Sequence, residues 1–362
     1  MRSPGRAALL AGYAAMGVTS AAYPAALPQA GAQGVDPLLG IPLLFGMLLV
    51  GTLAAAALHR VDPRRLLLAG TAIQAAALLI APGAFLPACA VAGLGFGLAE
   101  ADANLLTRLL AVERTGASLA GMTAMVALAA TACPVLLALL GMLVLPWLAL
   151  VSLPAAILLL AWRGPLTAAA AGPAPHGIAR LAPIALALVL FVGVETVVSG
   201  WSAVLPQQLL ALDARAAAVG TSAFWLLMSA GRLLARILVG RALPGPRYLA
   251  IALGGAAVLL GAAAALGTAI PWLALAIAAV ATVLLAPGYS LLLGAALAAI
   301  PAATARRATG ILVALGAVGG TLVPLGVALA VGVSPSGALG VGAVLLVLVA
   351  ALAIGHARLA PR

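Results

Sequence analysis

Long apolar stretches separated by short polar segments follow one another along the whole chain. Each stretch is close to the length of about 20 residues that a helix needs to cross the hydrocarbon core of a bilayer. We therefore predict an all-α polytopic membrane protein with 12 transmembrane helices. The predicted spans are 7–30, 37–58, 66–82, 86–110, 118–141, 144–162, 182–207, 216–239, 248–268, 272–300, 308–332 and 337–355.

Composition supports a membrane protein. Hydrophobic residues make up 65% of the chain and charged residues 7%, whereas a soluble domain carries roughly 25% charged residues. These values exclude a cytoplasmic enzyme, a secreted disulfide scaffold and a disordered chain. Cys89 and Cys133 lie in apolar sequence, so we interpret them as packing residues.

The basic residues, all arginine, predict the topology. If the N-terminus is cytoplasmic, 16 of the 18 arginines fall at inner ends of spans, Arg215 lies outside and Arg232 lies within a span. Translocating arginine is costly, and an inner excess is typical of membrane proteins. We expect a multi-pass protein of the inner or plasma membrane with both termini cytoplasmic. The net charge of +11 then needs no nucleic acid partner.

The longest polar break lies near the middle of the chain. It predicts an N-terminal bundle of six helices over residues 1–162, a cytoplasmic linker at 163–181 and a C-terminal bundle of six helices over 182–362. Weak repeats at a spacing of about half the chain favour two parallel halves. One pair is Ala25-Ala26-Leu27-Pro28-Gln29 and Ala203-Val204-Leu205-Pro206-Gln207.

Four ionisable residues, Glu100, Asp102, Glu195 and Arg232, lie away from the ends of predicted spans, where charge is costly and functional roles are common. Glu100 lies near the midplane and shares a helix face with Asn104 and Arg108. It either faces a cavity or only bonds to neighbouring helices. Asp102 points away from that face. Arg232 lies at a similar depth to Asp102, so we expect it to form a structural ion pair or to extend toward the headgroups.

Spans seven and ten supply further candidates. Glu195 shares a helix face with Ser199 and Ser202, and the ring of Trp201 lies beside that face. Glu195 either binds a proton or serves only as a hydrogen-bond donor between helices. Span ten is interrupted by Pro287-Gly288, ahead of Tyr289. Such a break is typical of helices that border a transport site, although a simple kink gives the same pattern.

Several segments resemble a known family. They are Gly95 with Glu100-x-x-x-Asn104, Phe191-Val192-Gly193-Val194-Glu195 with Gly200-Trp201, Phe224-Trp225 with Gly231-Arg232, and Ala286-Pro287 with Gly319-Gly320 and Pro324. Together they are similar to major facilitator transporters, and within them to the fucose permease-like branch of sugar:proton symporters. Two departures stand out. Span one has no acid, and the usual acid after Gly51-Thr52-Leu53-Ala54 is missing.

The resemblance implies two pseudo-symmetric six-helix bundles around a central cavity formed by spans one, four, seven and ten. The residues expected to line it are Glu100, Asn104, Glu195, Ser199, Trp201, Tyr289, Thr19, Ser20 and Tyr23. Structural or gating roles are expected for Asp102, Arg232, Arg108, Pro287 and Gly288. In the family the span-four Glu contributes to substrate recognition and proton coupling, which implies the same role for Glu100.

The leading hypothesis is a secondary transporter that moves a small organic solute, sugar-like by resemblance, by alternating access with proton coupling. The rivals are efflux of a hydrophobic or drug-like compound and a non-transporting membrane scaffold or sensor. Motifs of metalloproteases, esterases and ATP-driven pumps do not occur in the sequence, so we expect no enzyme activity and no cofactor. We expect a monomer whose partners are the solute, protons and the bilayer.

The two midplane acids are assigned different roles. An acid paired with a cation stays ionised and cannot cycle a proton. Glu195 has no basic residue on its own span, so the sequence favours it as the proton carrier. Glu100 is then expected to contact the substrate.

Overall fold

The computed structural model describes residues 4–35, 37–111, 114–163, 166, 181–239, 241, 243, 245–301, 304–332 and 334–359. It is almost entirely helical. The helices are α1 (Pro4–Ala32), α2 (Pro37–Ala57), α3 (Pro63–Ile80), α4 (Phe85–Leu110), α5 (Thr115–Leu140), α6 (Leu145–Leu148), α7 (Ser152–Ala161), α8 (Ala182–Leu210), α9 (Ala214–Leu238), α10 (Gly245–Leu266), α11 (Pro271–Leu285), α12 (Gly288–Ala298), α13 (Ala305–Val331) and α14 (Pro335–Leu359). Most of the predicted linker at 163–181 lies outside the described residues.

Nine helical segments among the described residues are long and apolar enough to cross a membrane. The longest, Thr115–Ala161, holds two predicted spans that reverse at Gly141, whose φ of 71° is in the left-handed region that favours glycine. This turn lies at the boundary between the predicted spans 118–141 and 144–162. With α1 and α9, which pack in the same bundle, the segments account for the predicted 12 spans. The protein is a multi-pass membrane protein.

Close packing of α4 depends on the glycines of the Gly93-Leu94-Gly95-Phe96-Gly97 segment. A Cβ on Gly93 or Gly97 would overlap backbone atoms of α2, and a Cβ on Gly95 would lie 2.8 Å from the carbonyl oxygen of Gly70 on α3. Small residues allow membrane helices to approach this closely, because contact between helices there depends on packing. These glycines hold α4 between α2 and α3.

One end of the bundle carries most of the described arginines. At the start of α13, Arg306 donates hydrogen bonds to the carbonyl oxygens of His59 and Val61 in the α2–α3 connection. Near the end of α4, Arg108 donates to the carbonyl oxygen of Ile300. We call this end, where residues 58–62, 111, 114, 299–301 and 304 lie, the arginine-rich end.

Helices from the two predicted halves meet at the arginine-rich end. Gly294 of α12 lies against the backbone of Gly116 of α5, and Gly310 of α13 lies against Ala56 of α2. These contacts close the bundle there. The exact division into 1–162 and 182–362, and the cytoplasmic position of the termini, stay predictions.

We expect Gly294→Val to open the arginine-rich end. The new Cβ would overlap the Cα of Gly116, and overpacking of this kind costs about 1–3 kcal/mol. Single cysteines placed in the α12–α13 connection should then react faster with a membrane-impermeant maleimide. Gly254→Val is the matched control, because a Cβ there meets no atom within 4 Å. Equal labelling rates for both variants would contradict the closure.

The α2–α3 connection ends in a capped helix. The Asp62 carboxylate accepts a hydrogen bond from the backbone N–H of Arg64 at 2.8 Å and forms an ion pair with the Arg64 guanidinium at 2.7 Å. Pro63 occupies the first turn of α3, where its missing N–H is not needed. Hydrogen bonds from the Arg64 side chain lower the pKa of Asp62 below its usual value.

We expect Asp62→Asn to lower stability slightly at neutral pH and not at all in acid. Asparagine keeps the cap and removes the charge, and an exposed ion pair contributes about 0.2–1 kcal/mol. Because the folded-state pKa is depressed, the contribution is present above the unfolded pKa of about 3.9 and is lost as pH falls through the folded value. Thermal midpoints of both proteins between neutral pH and about pH 3 should converge in acid.

Candidate functional site

A chain of hydrogen bonds links α1, α4 and α12 in the middle of the bundle. The Tyr13 hydroxyl donates to Asn104 Oδ1 at 2.8 Å, Asn104 Nδ2 donates to the Tyr289 hydroxyl at 3.1 Å, and that hydroxyl donates to Glu100 Oε1 at 2.7 Å. Each bond runs toward the Glu100 carboxylate, so neighbouring bonds strengthen one another. We call Tyr13, Asn104, Tyr289 and Glu100 the carboxylate chain.

Residues of both predicted halves make up the carboxylate chain. Asn104 is fully buried and Tyr289 is 7% exposed, whereas Glu100 is half-buried. Among the described residues Glu100 has no ion-pair partner. Glu195 and Arg232 lie near enough to act on it electrostatically. The chain therefore ends in a partly accessible carboxylate that no contacting cation neutralises.

The break in span ten positions Tyr289. Helix α11 ends at Leu285 and α12 begins at Gly288, as the Pro287-Gly288 pair predicted. A Cβ on Gly288 would overlap the Phe191 ring of α8. Only glycine therefore allows α12 to begin this close to α8.

A second polar group lies between α8 and α9. Arg232 Nη2 forms an ion pair with Glu195 Oε1 at 2.6 Å. The remaining guanidinium nitrogens donate to backbone carbonyls, Nε to Ala286 at 3.1 Å and Nη1 to Thr123 at 2.9 Å. All three nitrogens of the buried guanidinium thus have acceptors, as a charge in hydrocarbon requires.

This pairing corrects the expectation drawn from helical depth. By its position along the helix, Arg232 lies at a depth similar to that of Asp102, but its ion-pair partner is Glu195. Depth counted along separate helices ignores tilt and neighbour order, and α8 packs directly on α9. Glu195 therefore has a cation beside it, contributed by another helix, although its own helix carries no basic residue.

Asp102 pairs with Arg306 of α13, with Oδ1 and Nη2 3.0 Å apart. As predicted, it points away from the face that carries Glu100. The carboxylate is almost fully buried, and its Oδ2 has no hydrogen-bond partner among the described residues. Arg306 also holds the α2–α3 connection. This ion pair thus joins α4 to α13 at the arginine-rich end. The acid that the family usually has after Gly51-Thr52-Leu53-Ala54 is missing at the same end.

The remaining predicted residues lie at different distances from these groups. Arg108 is buried and binds the Ile300 carbonyl. Ser20 and Ser199 are half-buried, and the Ser20 hydroxyl donates to Gly17. Thr19 is buried and donates to its own helix.

Two aromatic candidates pack into apolar clusters. Tyr23 is 1% exposed and lies against Phe85 in the core formed by α1, α3, α4 and α5. Trp201 packs against Val197 and the valines of α13 and α14. Neither position gives support to a direct substrate contact.

The sequence patterns do not single out Tyr13, Arg306 or the Thr123–Ser290 hydrogen bond of 2.7 Å between α5 and α12. Tyr13 lies seven residues before Ser20 and so on the same helix face, which was an available signal. Arg306 was counted only toward topology. Among the described residues no group of three or more His, Cys, Asp or Glu could hold a metal ion.

No protein-family model matches the sequence, and no curated protein matches it either. Solved structures do. The major facilitator transporter FucP in its outward conformation superposes with a TM-score of 0.78 at 16% identity, over 97% of this chain and 98% of that chain.

The chain has the major facilitator fold. The bacterial homologue of the iron transporter ferroportin, in its outward-facing state, has a TM-score of 0.75 at 14% identity and covers 99% of this chain and 100% of that chain. The proton:xylose symporter XylE has a TM-score of 0.73 at 14% identity, over 99% of this chain and 95% of that chain. The predicted fold class is therefore confirmed, and the resemblance to fucose permeases is confirmed at the level of the fold. The major facilitator fold places α4, α8 and α11–α12 around the polar groups described above.

We expect Asp102 and Arg306 to be energetically coupled. Removing one partner of a buried pair leaves an uncompensated charge and costs about 3–5 kcal/mol. Asp102→Asn and Arg306→Met should each destabilise the protein, and the double variant should be more stable than the sum of the two losses predicts. Unfolding in mixed micelles measures this cycle. Arg307→Met is the control for Arg306→Met, and additive effects of Asp102→Asn and Arg306→Met would contradict the pair.

Proposed function

We propose that this protein is a secondary transporter that moves a small organic solute by alternating access and couples that movement to protons at Glu100. The observation that carries the proposal is the Glu100 carboxylate, which is bonded to Tyr289 of the other predicted half and contacts no cation in the part of the chain that the structure describes. A buried charge in hydrocarbon is costly, and a proton removes that cost. Because Tyr289 comes from the second half, movement of the halves would change the hydrogen bonding of Glu100.

This assignment reverses the roles favoured by the sequence. Glu195 is paired with Arg232, and an acid paired with a cation remains ionised. Glu100, bonded to the neutral Tyr289 hydroxyl, is free to gain and lose a proton. The hydrogen bonds of the carboxylate chain then influence whether Glu100 is protonated. The Glu195–Arg232 pair beside it keeps both of its charges.

Alternating access is supported by where the bundle is closed. Contacts between the two predicted halves, 1–162 and 182–362, include several at the arginine-rich end. With both termini cytoplasmic in an inner or plasma membrane, this end faces the cytoplasm and the molecule faces outward. FucP and the ferroportin homologue were solved in outward states. We propose a monomer, since each half supplies part of the site.

The solute class has two candidates. The fold is shared with FucP and with a xylose symporter, which favours a sugar-like solute. Efflux of a hydrophobic or drug-like compound is favoured by a different observation. The side-chain amides of Gln29 and Gln74 already donate to backbone carbonyls, which leaves few amides for sugar hydroxyls.

Proteoliposome transport tests the proposal. We expect a panel of labelled sugars and lipophilic cations to include one solute whose accumulation requires a pH gradient. Glu100→Gln should abolish gradient-driven accumulation and retain counterflow exchange, because the neutral amide mimics a permanently protonated carboxyl group. Asp213→Asn, which removes a carboxylate from the exposed α8–α9 connection, is the control and should transport normally. Full accumulation by Glu100→Gln would refute proton coupling at this residue.

A further inference from the structure

Arg232 contacts three separate parts of the bundle with a single guanidinium group. Its partners are the Glu195 carboxylate on α8, the Ala286 carbonyl at the end of α11 and the Thr123 carbonyl on α5. Arg232 is 4% exposed. Burial explains why each guanidinium nitrogen needs an acceptor, and the position of the two backbone acceptors shows which helices Arg232 holds together.

The contact with Ala286 lies directly at the break in span ten. Ala286 precedes Pro287, and α12 begins one residue later at Gly288. Proline cannot supply a backbone N–H, so the chain at this break has fewer internal hydrogen bonds to hold its direction. Arg232 provides a bond from outside the helix at this point.

Helix α8 holds the same break at a second point. Phe191 and Glu195 are four residues apart and therefore on one face of α8. The Phe191 ring lies against Gly288, and Glu195 holds Arg232, which in turn holds Ala286. The start of α12 is thus fixed both by contact with a ring and by a charged group.

Tyr289 is the residue that this arrangement places. It follows Ala286 by three residues, and its hydroxyl bonds to both Glu100 and Asn104. These bonds are 2.7 and 3.1 Å long, so a shift of α12 by about 1 Å would break them.

We propose that Arg232 is a positioning residue: held by Glu195, it fixes the α11–α12 break and so sets the Tyr289 hydroxyl against Glu100. This rests on the proposed function, in which Glu100 binds the proton. Arg232 and Glu195 then act on the proton site through the backbone of span ten. A planar guanidinium with donors in several directions suits three acceptors, whereas a lysine ammonium is a single point of charge.

The test reads the hydrogen bond to Glu100 directly and needs no transported solute. Infrared difference spectra of the full-length protein in lipid nanodiscs are recorded between acidic and alkaline buffer, with the proton as the probe. The Glu100 band is the protonated-carboxyl C=O stretch that is absent in Glu100→Gln. Loss of a hydrogen bond to that C=O group moves the band to higher wavenumber.

We expect Tyr289→Phe and Arg232→Met to move the Glu100 band upward, and the double variant to show no shift beyond that of Tyr289→Phe. Arg232→Lys should move the band in the same direction, because lysine keeps the positive charge but lacks the planar guanidinium with donors in several directions. Arg236→Met is the matched control, since Arg236 lies one turn further along α9, packs against Gly121 of α5 and is exposed. Its band should stay at the wild-type position.

An unchanged band in Arg232→Met, shifts that add in the double variant, or a wild-type band in Arg232→Lys would overturn the proposal. A wild-type protein without a Glu100 band would instead refute proton binding at Glu100. In that case thermal midpoints decide the positioning role. Non-additive effects of Arg232→Met and Tyr289→Phe support it, and effects as additive as those of Arg236→Met and Tyr289→Phe overturn it.

Discussion

The cost of placing charge in hydrocarbon governs this structure. Water is absent there, so each buried charge needs a partner within the protein. That requirement sends most arginines to the ends of the helices and leaves very few charges between them. Those few are held by hydrogen bonds from several helices at once, as Arg232 shows, and they therefore tie those helices together.

The three buried acids satisfy the requirement in different ways. Asp102 pairs with Arg306 where the bundle is closed, and Glu195 pairs with Arg232 beside the broken span ten. Glu100 accepts a hydrogen bond from a neutral tyrosine. Two acids thus form ion pairs that join helices, and the third is bonded to a neutral group. In the proposed mechanism this difference assigns the proton to Glu100.

The contacts at the arginine-rich end illustrate how a missing motif residue is replaced. The sequence lacks the acid expected after Gly51-Thr52-Leu53-Ala54. The structure joins the α2–α3 connection to α13 through Arg306 and the carbonyls of His59 and Val61, with Asp102 as the counter-ion. Backbone carbonyls are present at every residue, so a contact made through them leaves no trace in sequence motifs. Such a connection becomes visible only in three dimensions.

The sequence by itself determined the spans, the break at Pro287-Gly288 and the opposite directions of Glu100 and Asp102, because these follow from apolar length, helical period and local chemistry; through the resemblance of its motifs it also implied the major facilitator fold. It could not decide which arginine neutralises which acid. Depth along a helix favoured Asp102 for Arg232, whereas the partner is Glu195. Ion pairs between helices depend on which helices are neighbours and how they tilt, and only tertiary packing sets those. The chemical roles of Glu100 and Glu195 therefore follow from the fold, since the same carboxyl group behaves differently beside a guanidinium and beside a phenol.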